Sequence, residues 1–105
     1  MKEIAPGFYY HYKHTDIDIF NYAYEVLNIA HHTEIEGLDE SAMVVYRPLY
    51  ENASVYKIGQ HWDVRPFAMF AENIEKDGKV IERFTRITDE NIILELKKKR
   101  REMYK

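Results

Sequence analysis

Two arginine–proline steps constrain this chain more than any other feature. Met43-Val44-Val45-Tyr46-Arg47-Pro48-Leu49-Tyr50-Glu51-Asn52 is echoed by Asp63-Val64-Arg65-Pro66-Phe67-Ala68-Met69-Phe70-Ala71-Glu72-Asn73. Each is a run with β-forming residues that ends in Arg-Pro, continues with apolar residues and closes on Glu-Asn. Proline has no N–H to give a ladder and fixes φ, so each strand is expected to stop or leave its sheet there. Each break therefore places an arginine at a strand end. A small β-rich domain follows, without a named reaction.

A chain of 105 residues has room for one domain. At that size it buries roughly 60–70% of the surface it exposes when unfolded, enough for a single modest core. There is no cysteine, which excludes disulfides, thiolate metal sites and cysteine nucleophiles. The segment Met1-Lys2-Glu3-Ile4-Ala5-Pro6 has no apolar targeting core, and no run approaches membrane-spanning length. The expectation is a cytoplasmic protein with no membrane partner. Charge is unevenly spread: residues 1–94 carry nine basic and sixteen acidic side chains, a net −7, and residues 95–105 carry six and two, a net +4. An acidic body argues against general nucleic-acid binding.

Along the chain, Gly7 to His14 reads as a first, aromatic strand, and residues 15–21 as a turn. Tyr22 to His32 is the clearest strand. Strict alternation puts Tyr22, Tyr24, Val26, Asn28 and Ala30 on one face, and Ala23, Glu25, Leu27, Ile29 and His31 on the other. Both faces are substantially apolar, so the strand is expected to be central or bent. Glu34 to Glu40 reads as a loop, Ala42 to Tyr46 as strand three, and His61 to Arg65 as strand four. Pro66 to Phe70 fits one helical turn. Asp77-Gly78 is a hairpin signal leading into a fifth strand over Val80 to Phe84. From Asp89 to Met103 the pattern is helical: Thr88 or Asp89 as the cap, acids first and bases last, and a stripe of Ile92, Ile93, Leu96 and Met103.

Several phrases together resemble one family. They are Gly7-Phe8-Tyr9-Tyr10-His11-Tyr12-Lys13, Tyr24 to Glu34, Val44-Val45-Tyr46-Arg47-Pro48-Leu49-Tyr50, Val64-Arg65-Pro66-Phe67-Ala68-Met69-Phe70, and Asp77-Gly78-Lys79 through Arg83-Phe84. In order and spacing the chain is similar to the small bacterial family known as domain of unknown function 1653, over about residues 7–84. The resemblance implies an SH3-like β-barrel and brings no activity with it. The family's tryptophan usually stands two residues before the Arg-Pro arginine, where this chain has Asp63. Trp62 comes one step earlier, and strand alternation would turn it to the opposite face. The expected fold is thus mainly β: a small SH3-like barrel of about five strands over residues 1–88, with a basic C-terminal helix over 89–105.

Four groups of residues are candidates for chemistry. Arg47 and Arg65, on neighbouring strands, would hold a carboxylate or phosphate as a two-arginine clamp; their ordinary reading is structural pairing with Glu25, Glu51 or Glu72. Trp62 with Tyr10, Tyr12 and Tyr46 would line an aromatic groove of the kind that takes peptides, although half the tyrosines must fill the core. His11, His32 and His61, with Glu34 or Asp63, would bind zinc if the fold gathers them, but their spacing matches no established motif. Finally, Lys97-Lys98-Lys99-Arg100-Arg101 reads first as a solvated helix end, second as a homodimer contact through the C-terminal helix, and last as a nucleic-acid site. No phosphate loop or nucleophile elbow is present. The leading expectation is a non-catalytic binding module without a cofactor, for a protein or a small anionic ligand. The alternative is a small metal-dependent hydrolase using the histidines.

Overall fold

The computed structural model describes residues 3–51 and 62–104. Its strands in chain order are β1 (Gly7–His11), β2 (Ala23–His31), β3 (Ala42–Pro48), β4 (Asp63–Pro66), β5 (Asn73–Lys76), β6 (Lys79–Glu82) and β7 (Phe84–Arg86). Two single-turn helices, α1 (Leu38–Ser41) and α2 (Phe67–Phe70), precede β3 and follow β4, and a long helix α3 (Glu90–Met103) comes last. No helix among the described residues is long and apolar enough to cross a membrane.

Five strands form one antiparallel sheet in the order β4-β3-β2-β1-β7, and β5 with β6 makes a separate hairpin. The mainly β class and the appended helix match the sequence reading. The barrel does not close: β4 and β7 are the two edges, with no ladder between them. They nevertheless approach across one face, because the Arg65 guanidinium of β4 lies 5.4 Å from the centre of the Phe84 ring of β7. The sheet is curled enough to make that face concave.

Two apolar clusters occupy the two sides of this sheet. The concave side holds Ile4, Tyr9, Tyr24, Val26, Val44, Tyr46 and Phe84 together with Phe67 and Phe70 of α2. Phe70 stacks on Phe84 at 4.0 Å, which plugs the inside of the curl with aromatic surface. The opposite side holds Phe8, Ala23, Leu49, Ile87 and Leu96, with Ile92, Ile93 and Tyr104 packed against them. α3 thus uses its apolar stripe to cover the back of its own sheet. The Asp89 carboxylate caps it, accepting from the backbone N–H groups of Asn91 and Ile92 at 2.9 and 3.1 Å.

Strict alternation fails in β2 at one point. The pairing of β2 with β3 shifts between Val26 and Asn28, so Leu27 is an extra residue opposite no partner step. A bulge of this kind moves every later side chain to the other face. Ile29 therefore opposes Val44 and packs into the concave cluster with Tyr24 and Val26, instead of sharing a face with Ala23 and Glu25. Both faces of the segment look apolar in sequence because each half of the strand buries a different parity.

The expected fifth strand is two strands. β6 pairs with β5 through the Asp77-Gly78 turn, where both residues have positive φ, 52° and 77°. At Arg83 the chain changes sheets: its N–H donates to the Glu72 carbonyl at 3.1 Å, while its own carbonyl accepts from the Tyr12 N–H at 2.8 Å. β7 then pairs with β1. One continuous stretch of sequence serves two partners in succession.

Candidate functional site

Strand parity separates the two echoed arginines. Arg65 opposes Val44 on β3, and Arg47 lies three residues beyond Val44, an odd step. Side chains alternate, so Arg65 belongs to the concave face with Val44 and Tyr46, and Arg47 belongs to the back. The expected two-arginine clamp is thereby corrected: no single ligand on one face spans both.

Arg47 is consumed by structure. Its Nε and Nη2 donate to Oε1 of Glu25 at 2.9 and 2.8 Å, while Nη1 of Arg100 donates to Oε2 at 2.7 Å. Glu25 is only 8% exposed, so this is a buried carboxylate neutralised from two sides. The Tyr104 ring lies 4.1 Å from the Arg47 guanidinium and its hydroxyl donates to the Pro48 carbonyl at 2.6 Å. Burial pushes the Tyr104 phenol up to about 12. Trp62, 60% exposed, stands over the same guanidinium at 5.6 Å. It is on the back, as its position beside Asp63 implied, and it contributes to no concave groove. Part of the basic tail therefore docks on the acidic body of its own chain.

Arg65 is held differently. Its Nε donates to the Tyr46 hydroxyl at 3.2 Å and its guanidinium rests over Phe84. Among the described residues no carboxylate stands within ion-pair distance of it, and both Nη groups are without a partner. The other half-buried arginines are engaged: Arg47 and Arg100 by Glu25, and Arg83 by Glu72 at 3.4 Å. Arg83 adds an orphan, since its buried Nε has no hydrogen-bond partner among the described residues. Arg86, on the concave parity but at the far end, donates to the Ala5 and Pro6 carbonyls and the Tyr9 hydroxyl.

Beside Arg65 stands His11, at the end of β1. Its ring meets Phe84 edge to face at 5.0 Å and lies 4.4 Å from Tyr12 and 5.7 Å from Tyr22. Nδ1 accepts from the Lys13 backbone N–H at 3.2 Å, which leaves the imidazole proton on Nε2. Burial first, then the charges of Arg65, Lys13 and Arg83, lower its pKa from 6.5 to about 4. At neutral pH it is an uncharged donor surrounded by cations. Tyr24 and Tyr50 join hydroxyls at 2.6 Å nearby, and Tyr50 faces Tyr22 at 5.8 Å. Burial raises the Tyr50 phenol, and Asp63 adds to that rise.

The connection leading to this corner is locked by one side chain. Asn21 donates to the Thr15 and Asp18 carbonyls at 2.8 and 2.6 Å and accepts from the Thr15 N–H at 2.9 Å. It delivers Tyr22 in the left-handed region, φ 52°, a conformation that costs a tyrosine roughly 1–3 kcal/mol and persists only where neighbours over-determine it. The turn was legible in the Asp and Asn residues of this stretch; the placement of Tyr22 beside His11 was not.

The remaining expected residues disperse. Tyr10 points to the back, donating to the Ile19 carbonyl at 2.6 Å and stacking on His14 at 3.5 Å. Tyr12 borders the Arg65 corner, with Lys76 over its ring at 5.7 Å. Tyr46 is buried and serves Arg65 directly. His11 and His32 sit on, or just beyond, adjacent strands but at opposite ends: β1 pairs with β2 so that Tyr10 opposes Ala23, leaving His11 near Tyr22. Ten residues of strand then separate it from His32, roughly 30 Å at strand rise. His32 accepts from the Glu34 N–H at 3.3 Å in an exposed turn. His61 lies outside the described residues. Among the described residues no group of three His, Asp or Glu side chains is placed to share a metal ion.

Residues 7–86 match a family model described as protein of unknown function, DUF1653. Among solved structures, one from Bordetella bronchiseptica described as belonging to that same family is similar, with 27% sequence identity and a TM-score of 0.59. The alignment covers 84% of this chain and 96% of that one. No curated protein matches the chain.

Proposed function

The chain belongs to the DUF1653 family, and from that premise we propose that it is a non-catalytic binding module whose concave face takes an anionic group on Arg65. The observation that carries this reading is the contrast between the two echoed arginines. Arg47 spends its guanidinium on Glu25. Arg65 is also oriented, by Tyr46 and Phe84, yet keeps both Nη groups unpaired among the described residues. With Nε occupied, the fork is presented end-on, a geometry suited to two oxygens of one carboxylate or phosphate. His11 supplies a neutral donor alongside, and Tyr22 and Tyr50 supply aromatic walls. Nothing among these groups is a poised nucleophile, which favours binding over turnover.

The test is a thermal-shift panel of carboxylates and phosphates at constant ionic strength, on the wild type, Arg65→Gln and the exposed control Arg101→Gln. A ligand that binds only the folded state raises Tm by mass action. The expected result is stabilisation of the wild type and of Arg101→Gln by at least one anion, lost in Arg65→Gln. Equal shifts in all three proteins, or none in any, would sink the reading.

A further inference from the structure

Resting on that reading of Arg65, we infer that the group it holds is a phosphate dianion, free or as a small phosphomonoester, bound jointly by the two Nη groups of Arg65 and by Nε2 of His11. Both side chains pack on the same ring: the Arg65 guanidinium is 5.4 Å and the His11 imidazole 5.0 Å from the centre of Phe84. They offer three donor nitrogens, the two Nη groups of the arginine fork and Nε2 of the neutral imidazole, whose Nδ1 is already occupied by the Lys13 backbone N–H. A carboxylate has two oxygens to meet them, and a phosphomonoester has three terminal ones.

Charge points the same way. Burial is the first cause of the low proton affinity of His11, and Arg65, Lys13 and Arg83 add to it; of these three only Arg83 has an acid partner among the described residues, Glu72 at 3.4 Å. Asp63, which acts on Tyr50, is the acidic group on the β4 side of this corner. Arg83 also retains its buried, unpartnered Nε. An excess of positive charge around a neutral donor is better matched by two negative charges than by one. The rings of Tyr22 and Tyr50, 5.8 Å apart, flank this corner and would contact the organic group of an ester, which free phosphate lacks.

Binding and protonation are then linked: a dianion beside His11 offsets the part of its lowered proton affinity that Arg65, Lys13 and Arg83 add to burial, and reciprocity makes the protonated form bind more tightly. The experiment is an NMR titration of the wild-type histidine rings with phenyl phosphate, inorganic phosphate and benzoate, at about pH 7.5 where the phosphates are dianions. Phenyl phosphate is expected to bind about tenfold or more tightly than benzoate, to shift the His11 ring signals, and to raise the His11 pKa above about 4. Arg65→Gln is expected to weaken phenyl phosphate by about tenfold or more, and the wild-type His11 shifts carry the test should that variant not fold. Inorganic phosphate equal to phenyl phosphate identifies the group alone as the ligand; a weaker response identifies an ester. Benzoate binding as tightly as phenyl phosphate, with both dependent on Arg65, overturns the phosphate inference and leaves the anion site standing. No response of His11 to any of the three overturns both.

Discussion

Arg65 donates through Nε to the hydroxyl of Tyr46 at 3.2 Å, and so keeps a cation fixed on the concave face without committing either Nη group. Tyr46 is itself buried in the aromatic cluster, with Tyr24 at 5.3 Å and Phe70 at 5.5 Å from its ring. The orientation of the guanidinium is therefore inherited from the core. That is the arrangement a recognition arginine needs, since little side-chain freedom is left to lose on binding.

The twin arginine answers differently to truncation. Arg47→Ala removes the main partner of a buried Glu25 and the cation under Tyr104, and should destabilise by about 3 kcal/mol, as removal of one member of a buried pair does. Arg65→Ala removes one hydrogen bond to a tyrosine and should cost about 1 kcal/mol. Urea unfolding of both variants measures the difference; equal losses would mean that the two arginines play the same role.

Glu25→Gln probes the same cluster from its centre. Two guanidinium groups then face a neutral amide inside the α3 interface, and the expected loss is again about 3 kcal/mol. Because Arg100 is the α3 partner, amide exchange should accelerate in α3 before it does in β1 and β2. Uniform acceleration across the chain would show that the bridge does not anchor the helix.

Leu96 is fully buried between α3 and the back of the sheet. Leu96→Ala should cost about 2–4 kcal/mol by lost transfer energy and a residual cavity. A change under about 0.5 kcal/mol in chemical denaturation would mean that α3 is not packed on its own sheet.

Stability should fall in mild acid on account of His11. Its folded pKa, about 4, lies below its ordinary 6.5, so the unfolded chain takes up the proton first. The penalty is absent above pH 6.5, grows as pH falls, and is complete below about 4. His11→Phe should flatten that part of the stability profile while leaving carboxylate effects in place. An unchanged slope in the variant would contradict the depressed value.

How much of this was legible beforehand follows from the range of each signal. The cap at Asp89, the Asp77-Gly78 turn and the stop at Pro48 are local: one to four residues carry them, and they appear where expected. The bulge at Leu27 and the change of sheet at Arg83 depend on where a distant strand sits, which no window of the sequence contains. The site suffered most from this. Arg47 and Arg65 look alike in sequence because both precede proline, and only the register of β3 against β4 sends them to opposite faces. The same register logic separates His11 from His32. Tyr22 and Phe84, which complete the corner around Arg65, have no motif of their own.

The central claim is that the Arg65 fork is the anchor of an anion. A crystal grown with 4-bromophenyl phosphate tests it most directly, since the bromine's anomalous signal fixes the position and direction of the ligand. The phosphate is expected within hydrogen-bond distance of both Arg65 Nη groups and of His11 Nε2, with the ring toward Tyr22 and Tyr50. Phosphate bound instead at the basic end of α3, with the Arg65 fork unliganded, would contradict it.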